Sequence, residues 1–188
     1  MKRKFMFGLG IAAAVATTPL AMSTPVFANL QEAGSAIAQR LMRPDVKLEM
    51  SVDKQITVTD ADGKEVQEWQ ALEGEATVQP GDVLRYAVNS SNAGDIAAEK
   101  LVIEQPIPAQ MTYVIGSQKG NSAATPTYSI DNGETFVAEP MVEVVIDEAG
   151  NTEMRPAPAE AYTHVKWTFS DALDAEEAVS VSHAVVVK

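Results

Sequence analysis

The chain has no cysteine, two histidines and two tryptophans in 188 residues. Without cysteine there are no disulfide staples, no thiol catalysis, no thiolate metal site and no covalent haem attachment. The two histidines, His164 and His183, fall in separate segments and form no His-x-x-x-His pair. A lone histidine on a strand reads as a surface or packing residue when no metal or catalytic partner accompanies it. No glycine-rich loop runs into Lys and Ser or Thr, and no serine occupies a nucleophile elbow. Gly8, Gly10 and Ala13 imitate a dinucleotide fingerprint, but they sit in an apolar leader with no strand before them. Aromatic residues make up 6% of the chain. That scarcity weighs against pairing its many acids as a sugar-cleaving site, since such sites are generally aromatic-lined. These absences leave no catalytic residue, no cofactor-binding residue and no metal ligand to assign, and the chain reads as a non-enzyme.

Positive charge is also scarce. Fourteen Lys and Arg stand against 26 Asp and Glu, a net charge of −12. Three of the basic residues, Lys2, Arg3 and Lys4, open a leader: an apolar run from Phe5 to Ala16, then a more polar stretch ending Val26-Phe27-Ala28. Small residues at 26 and 28 suit signal peptidase, and the apolar run is shorter than the ~20 residues a membrane span needs. Residues 1–28 are therefore expected to be a cleaved signal peptide. Export would place the protein in the periplasm, at the cell surface or in the medium. Losing the leader takes the net charge to about −15, which disfavours nucleic acid and anionic membranes as partners. No second run of spanning length, sortase motif or hydrophobic tail follows, so no transmembrane anchor is expected.

What the sequence does have is alternation. Residues 29–45 form an extension in which Leu30, Ala33, Ile37 and Leu41 fall at helical spacing until Pro44. From Val46 the period is two. Val46, Leu48, Met50 and Val52 alternate with polar residues, and Asp60-Ala61-Asp62-Gly63 marks a tight turn. The segment from Lys64 to Leu72 has Val66 and Trp69 out of phase, so a bulge is expected there. Gln79 to Ser117 reads as strand, turn, strand, proline corner, strand, with turns at Pro80-Gly81-Asp82, Asn92 to Asp95 and Pro106-Ile107-Pro108. A hairpin is expected around Asp131-Asn132-Gly133. Met141 to Ile146 reads as one strand followed by a long loop over 147–161. Val165, Trp167 and Phe169 face inward on a penultimate strand, and Val179 and Val181 on the last. Roughly eight to ten short strands with turns every 8–12 residues predict an all-β antiparallel sandwich over residues 46–188.

Asp60 with Asp62, and next Asp147 with Glu148, are the best calcium candidates, but an EF-hand pattern is missing and turn chemistry explains these acids without an ion. Asp171, Asp174, Glu176 and Glu177 read as a solvated loop.

The order Pro80-Gly81-Asp82, Tyr86, Asn92, Gly94, Ile107-Pro108, Tyr113 and Gly116-Ser117, followed by Tyr128-Ser129, Asp131, Gly133, Val165 and Trp167, resembles the conserved-repeat family called domain of unknown function eleven. The resemblance covers about Asp53 to Lys188. It implies an immunoglobulin-like sandwich from bacterial surface, fimbrial or secreted proteins, often in tandem stalk repeats, and it brings no catalytic residues. Two departures stand out: a single copy, and no wall anchor.

The expected function is an exported, non-enzymatic structural or adhesive surface module, in its specific form self-assembling into a filament through strand exchange, with itself or other surface proteins as partners. A carbohydrate- or protein-binding module using loops 118–127 and 147–161 is the alternative. Strand exchange needs a donor. Residues 29–54 contain an alternating segment, Val46 to Val52, but pairing of that segment within its own domain is favoured because consecutive elements usually pack together.

Overall fold

The computed structural model describes residues 43–74, 77–121 and 123–188 in full, and residues 3–4 and 12–15 as backbone. The described chain is almost entirely strand. Its elements are β1 (Arg3–Lys4), β2 (Ala12–Val15), β3 (Val46–Thr59), β4 (Glu65–Ala71), β5 (Thr77–Val78), β6 (Val83–Asn92), β7 (Leu101–Pro106), β8 (Met111–Tyr113), β9 (Ala124–Ser129), β10 (Met141–Val145), β11 (Thr152–Pro156), β12 (His164–Phe169) and β13 (Ala178–Val187). One 3-10 turn, Ala159–Ala161, follows β11. The expected helical reading of 29–45 lies outside the described residues except at 43–45, which are extended.

Two antiparallel sheets face each other. One has the order β4-β3-β6-β13-β8, the other β2-β7-β12-β9. All-β sandwich is thus the architecture, as the alternation predicts. Strands β6 and β7 belong to different sheets, as do β7 and β8. The turns after Asn92 and Pro106 therefore carry the chain across the sandwich rather than closing hairpins within a sheet.

The inward residues follow the period of two. On β6 they are Leu84, Tyr86, Val88, Ser90 and Asn92; on β12 they are Val165, Trp167 and Phe169; on β13 they are Val181, His183, Val185 and Val187. Leu101 and Ile103 of β7 and Met111 and Tyr113 of β8 complete the buried layer. Burial of this apolar surface is the main favourable term, at ~25 cal/mol per Å².

Two sequence motifs act as clamps. Asn92 places its side-chain oxygen 3.2 Å from the Asp45 N–H and 3.1 Å from the Gly94 N–H, while its amide donates to the Ile96 and Leu173 carbonyls at 2.7 and 3.0 Å. A β-carbon on Gly94 would lie 2.6 Å from the Asp45 nitrogen, so only glycine allows the chain entering β3 to pass this close. At the other end, the Asp82 carboxylate accepts from the Gln79 N–H and from Lys54 Nζ, both at 2.7 Å, and Gly81 donates to Val187. Turn and C-terminal strand are thereby tied together.

The segment Val46 to Lys54 pairs with β6 of its own domain, as favoured above, from Val46↔Asn92 to Lys54↔Leu84, so it is not free to be donated to a neighbour. Three other expectations change. The bulge expected in β4 is absent from its pairing, which runs unbroken from Asp53↔Ala71 to Thr59↔Glu65. Trp69 is out of phase because it lies on the opposite face from Val66, with the Arg85 guanidinium 4.6 Å from its ring centre. The stretch read as a long loop over 147–161 contains β11, which pairs with β10 from Met141↔Pro156 to Val145↔Thr152. The signal was there: Asp147 at the first position and Gly150 at the fourth, with Asp147 accepting from the Ala149 and Asn151 N–H groups, are the marks of a type I turn. The hairpin expected around Asp131 keeps its turn, but its second arm is reduced to a single bridge, Tyr128↔Val137.

Candidate interaction surfaces

The titratable residues singled out in the sequence are put to structural use. Asp60 accepts from the Asp62 and Lys64 N–H groups, both at 2.9 Å, and so shapes the β3–β4 turn. Asp147 does the same for the β10–β11 turn, and its hydrogen bonds to Asn151 hold its pKa below the usual carboxylate value. Glu148 sits exposed in that turn. Glu177 reaches back to the Asp174 N–H at 3.3 Å in the loop before β13, and Asp171 accepts from Ser170. Among the described residues no three ligating side chains converge.

The histidines are far apart in character. His183 is buried against Tyr86, Tyr113 and Trp167, with ring centres 5.7, 6.0 and 5.8 Å away. Burial alone lowers its pKa to about 4, so it is neutral at physiological pH. His164 is half-buried and its Nδ1 lies 3.2 Å from Thr163 Oγ1. Thr163 in turn contacts Ser129, whose hydroxyl donates to Asp131 at 2.6 Å. A nucleophile triad would need the acid on the histidine. Here Asp131 holds Ser129 and Thr135 instead, and those bonds take its pKa down to about 2. Ser129 also accepts from the Asp131 and Gly133 N–H groups. The network is a turn lock.

The molecule offers two features for association. The first is a cleft of about 450 Å³ where the root of the β10–β11 ribbon meets the sandwich, lined by Tyr113, Tyr128, Tyr162, Ile115, Met141 and Ala157 among others. Its floor is aromatic: Tyr113 stacks on Tyr162 at 5.1 Å, and Tyr128 meets Tyr162 edge-on at 5.5 Å. Burial pushes the Tyr113 hydroxyl far above the ordinary tyrosine range, with Tyr128 adding to it. Tyr162 is raised by burial and then by the charge of Glu139. These phenols stay neutral, and Tyr113 donates to Gln118 at 2.9 Å. The alternative reading placed binding on loops 118–127 and 147–161; Gln118 and the end of the second segment do line this cleft. Tyr113 and Tyr128 enter the sequence reading only as positions of the family resemblance, and Tyr162 carries no signal there.

The second feature is the edge of the smaller sheet. Its two sides differ. On β9, Pro126 lies mid-strand and Val137 bridges to Tyr128. Proline and short pairing are how natural edges are blunted. On β7 the outer side carries β2, Ala12–Val15, antiparallel, from Ala12↔Glu104 to Val15↔Leu101. The edge thus accepts an added strand.

Beyond the sheets stands the β10–β11 ribbon, a two-stranded sheet of its own. Met141, Val145, Ile146 and Met154 are exposed on it by 40, 64, 51 and 57%. Among the described residues no helix is long and apolar enough to cross a membrane. In comparisons with family models, curated proteins and solved structures, the chain matches none.

Proposed function

We propose that this chain is an exported, non-enzymatic structural or adhesive module that assembles with further copies by strand addition. One observation carries the reading: strand β7 presents an edge that takes an extra antiparallel strand, and the strand it takes comes from the segment expected to be removed on export. Once residues 1–28 are gone, the backbone groups on the outer side of β7 need another partner. The resemblance to the conserved-repeat family supports the same reading, with an immunoglobulin-like topology and a place in the periplasm, at the cell surface or in the medium.

The test is electron microscopy and sedimentation of the chain exported with its own leader and recovered after processing. Concentration-dependent oligomers or fibres are expected. A monodisperse monomer at the highest attainable concentration would overturn the reading.

The cleft favours a second reading, a binding module. Its tyrosines are packed on one another and mostly buried rather than laid out as an open platform, which favours an apolar protein segment over a sugar. Substitution of Ile115 by Asp should then abolish binding of the partner while leaving the fold intact; unchanged binding would exclude the cleft.

A further inference from the structure

Strand β7 and the β10–β11 ribbon belong to opposite ends of one sheet. The order β2-β7-β12-β9 leaves β7 at one edge once β2 is lost with residues 1–28. The ribbon leaves from the other: Val137 bridges to β9, and the ribbon starts four residues later at Met141. Without β2, one edge lacks a strand, and beyond the other edge stand two strands that belong to neither large sheet. They cannot meet within one molecule because β12 and β9 stand between them.

A two-stranded ribbon is marginal in water without a third strand or a packing surface. This one is also apolar. Val142, Val144 and Val145 give β10 the β-branched composition of an inner strand. Its outer edge has no strand partner among the described residues. Strand β11 is less suited to joining, because it is charged at Glu153 and Arg155 and ends at Pro156.

Resting on the strand-addition reading above, we infer that the occupant of the β7 edge in the mature protein is the β10–β11 ribbon of a second copy, with β10 pairing to β7. The smaller sheet then continues from one molecule into the next as β9-β12-β7-β10-β11. The two contact surfaces are different patches on each subunit, so the contact is head-to-tail and repeats without limit unless the rotation closes a ring. The leader strand β2 occupies the same edge in the unprocessed chain, so assembly waits for processing.

The natural chain has no cysteine, which makes disulfide trapping unambiguous. Val102 lies on β7, and Val142 and Val144 lie on β10. Chains carrying V102C are mixed with chains carrying V142C or V144C, all exported and processed, and oxidised. A disulfide-linked heterodimer is expected for at least one of the two pairings, since bridging needs the two Cα atoms within about 7 Å. A chain carrying both substitutions of that pair should give a ladder of covalent multimers on a non-reducing gel. Homodimers of V102C alone would mean that two β7 edges pair with each other, and would overturn the inference. Assembly that survives shortening of the ribbon but is lost on deleting residues 29–42 would give the edge to the N-terminal extension and would also overturn it. Both of those results leave strand addition at β7 standing. No cross-link and no assembly of any variant would remove both the inference and the reading it rests on.

Discussion

Two β-ribbons project from this sandwich, and they are finished differently. The β3–β4 ribbon grows out of the larger sheet, since β3 pairs with β6 along one half and with β4 along the other. Its one large aromatic, Trp69, is capped by Arg85, which is itself held 2.7 Å from Asp53. Gln67 and Thr57 pair across its outer face. The β10–β11 ribbon has no such continuity. Its exposed Met141, Val145 and Met154 share one face with Glu143 and Thr152, and its ion pair, Arg155 with Glu153, is exposed on both sides. The difference teaches where the molecule ends. A ribbon whose one large aromatic stacks against a cation of the adjoining sheet has a partner for it within the molecule, whereas one that leaves four large apolar side chains exposed fits a surface meant to be buried.

The largest expected effect separates the two ribbons. Replacing residues 142–155 by a short polar turn should abolish assembly in sedimentation while leaving the monomer's circular dichroism and melting temperature nearly unchanged. Replacing residues 57–67 in the same way should leave assembly intact. Equal effects of the two deletions would dissolve the comparison.

Next in size is the shared core beneath both. Trp167 is buried between the sheets beside His183. Trp167→Ala should cost about 3–5 kcal/mol, read as a shift in the denaturant midpoint, because a large cavity replaces it. That substitution should weaken folding and assembly together, unlike the ribbon deletion.

Mild acid should act on the core through His183. His183 has a folded pKa near 4, below the ~6.5 of an unfolded histidine. The unfolded chain therefore binds the extra proton between those values. Stability from this group is fully present above about pH 6.5 and is lost progressively as the pH falls toward 4, by about 3 kcal/mol in all. His183→Phe should flatten that part of the stability–pH curve. A slope unchanged by the substitution would assign the pH dependence to other groups.

The smallest effect sharpens the contrast at a single side chain. Trp69→Ala removes a cation–π contact of about 0.5–1 kcal/mol at a half-exposed site. It should lower the melting temperature slightly and leave assembly unchanged. Met154→Ser should do the reverse.

Much of the fold is legible in the sequence, because a half-buried strand imprints its period directly. Val165, Trp167 and Phe169 alternate as plainly in the chain as in the core. The turns at Pro80-Gly81-Asp82 and Asn92-Ala93-Gly94 are legible for the same local reason. What local pattern cannot carry is partnership. Nothing in Val66 or Trp69 says that they belong to opposite faces of one regular ribbon; that follows from Arg85, which lies beyond the ribbon in sequence. Strand β11 is hidden because its residues, from Thr152 to Pro156, are all exposed and so leave no alternation. The association surfaces were the least legible. An edge is defined by which strand is missing beside it, and a cleft by side chains from β8, β9 and the chain after the 3-10 turn, so neither has a local signature.

The central claim is that the uncovered ribbon and the open edge are two halves of one contact. Sedimentation velocity of the processed chain, from micromolar to millimolar concentration, tests it most directly when run beside the chain with residues 142–155 shortened. The account predicts growth with concentration for the intact chain and a monomer throughout for the shortened one. Identical behaviour of the two, whether both monomeric or both assembled, would contradict it.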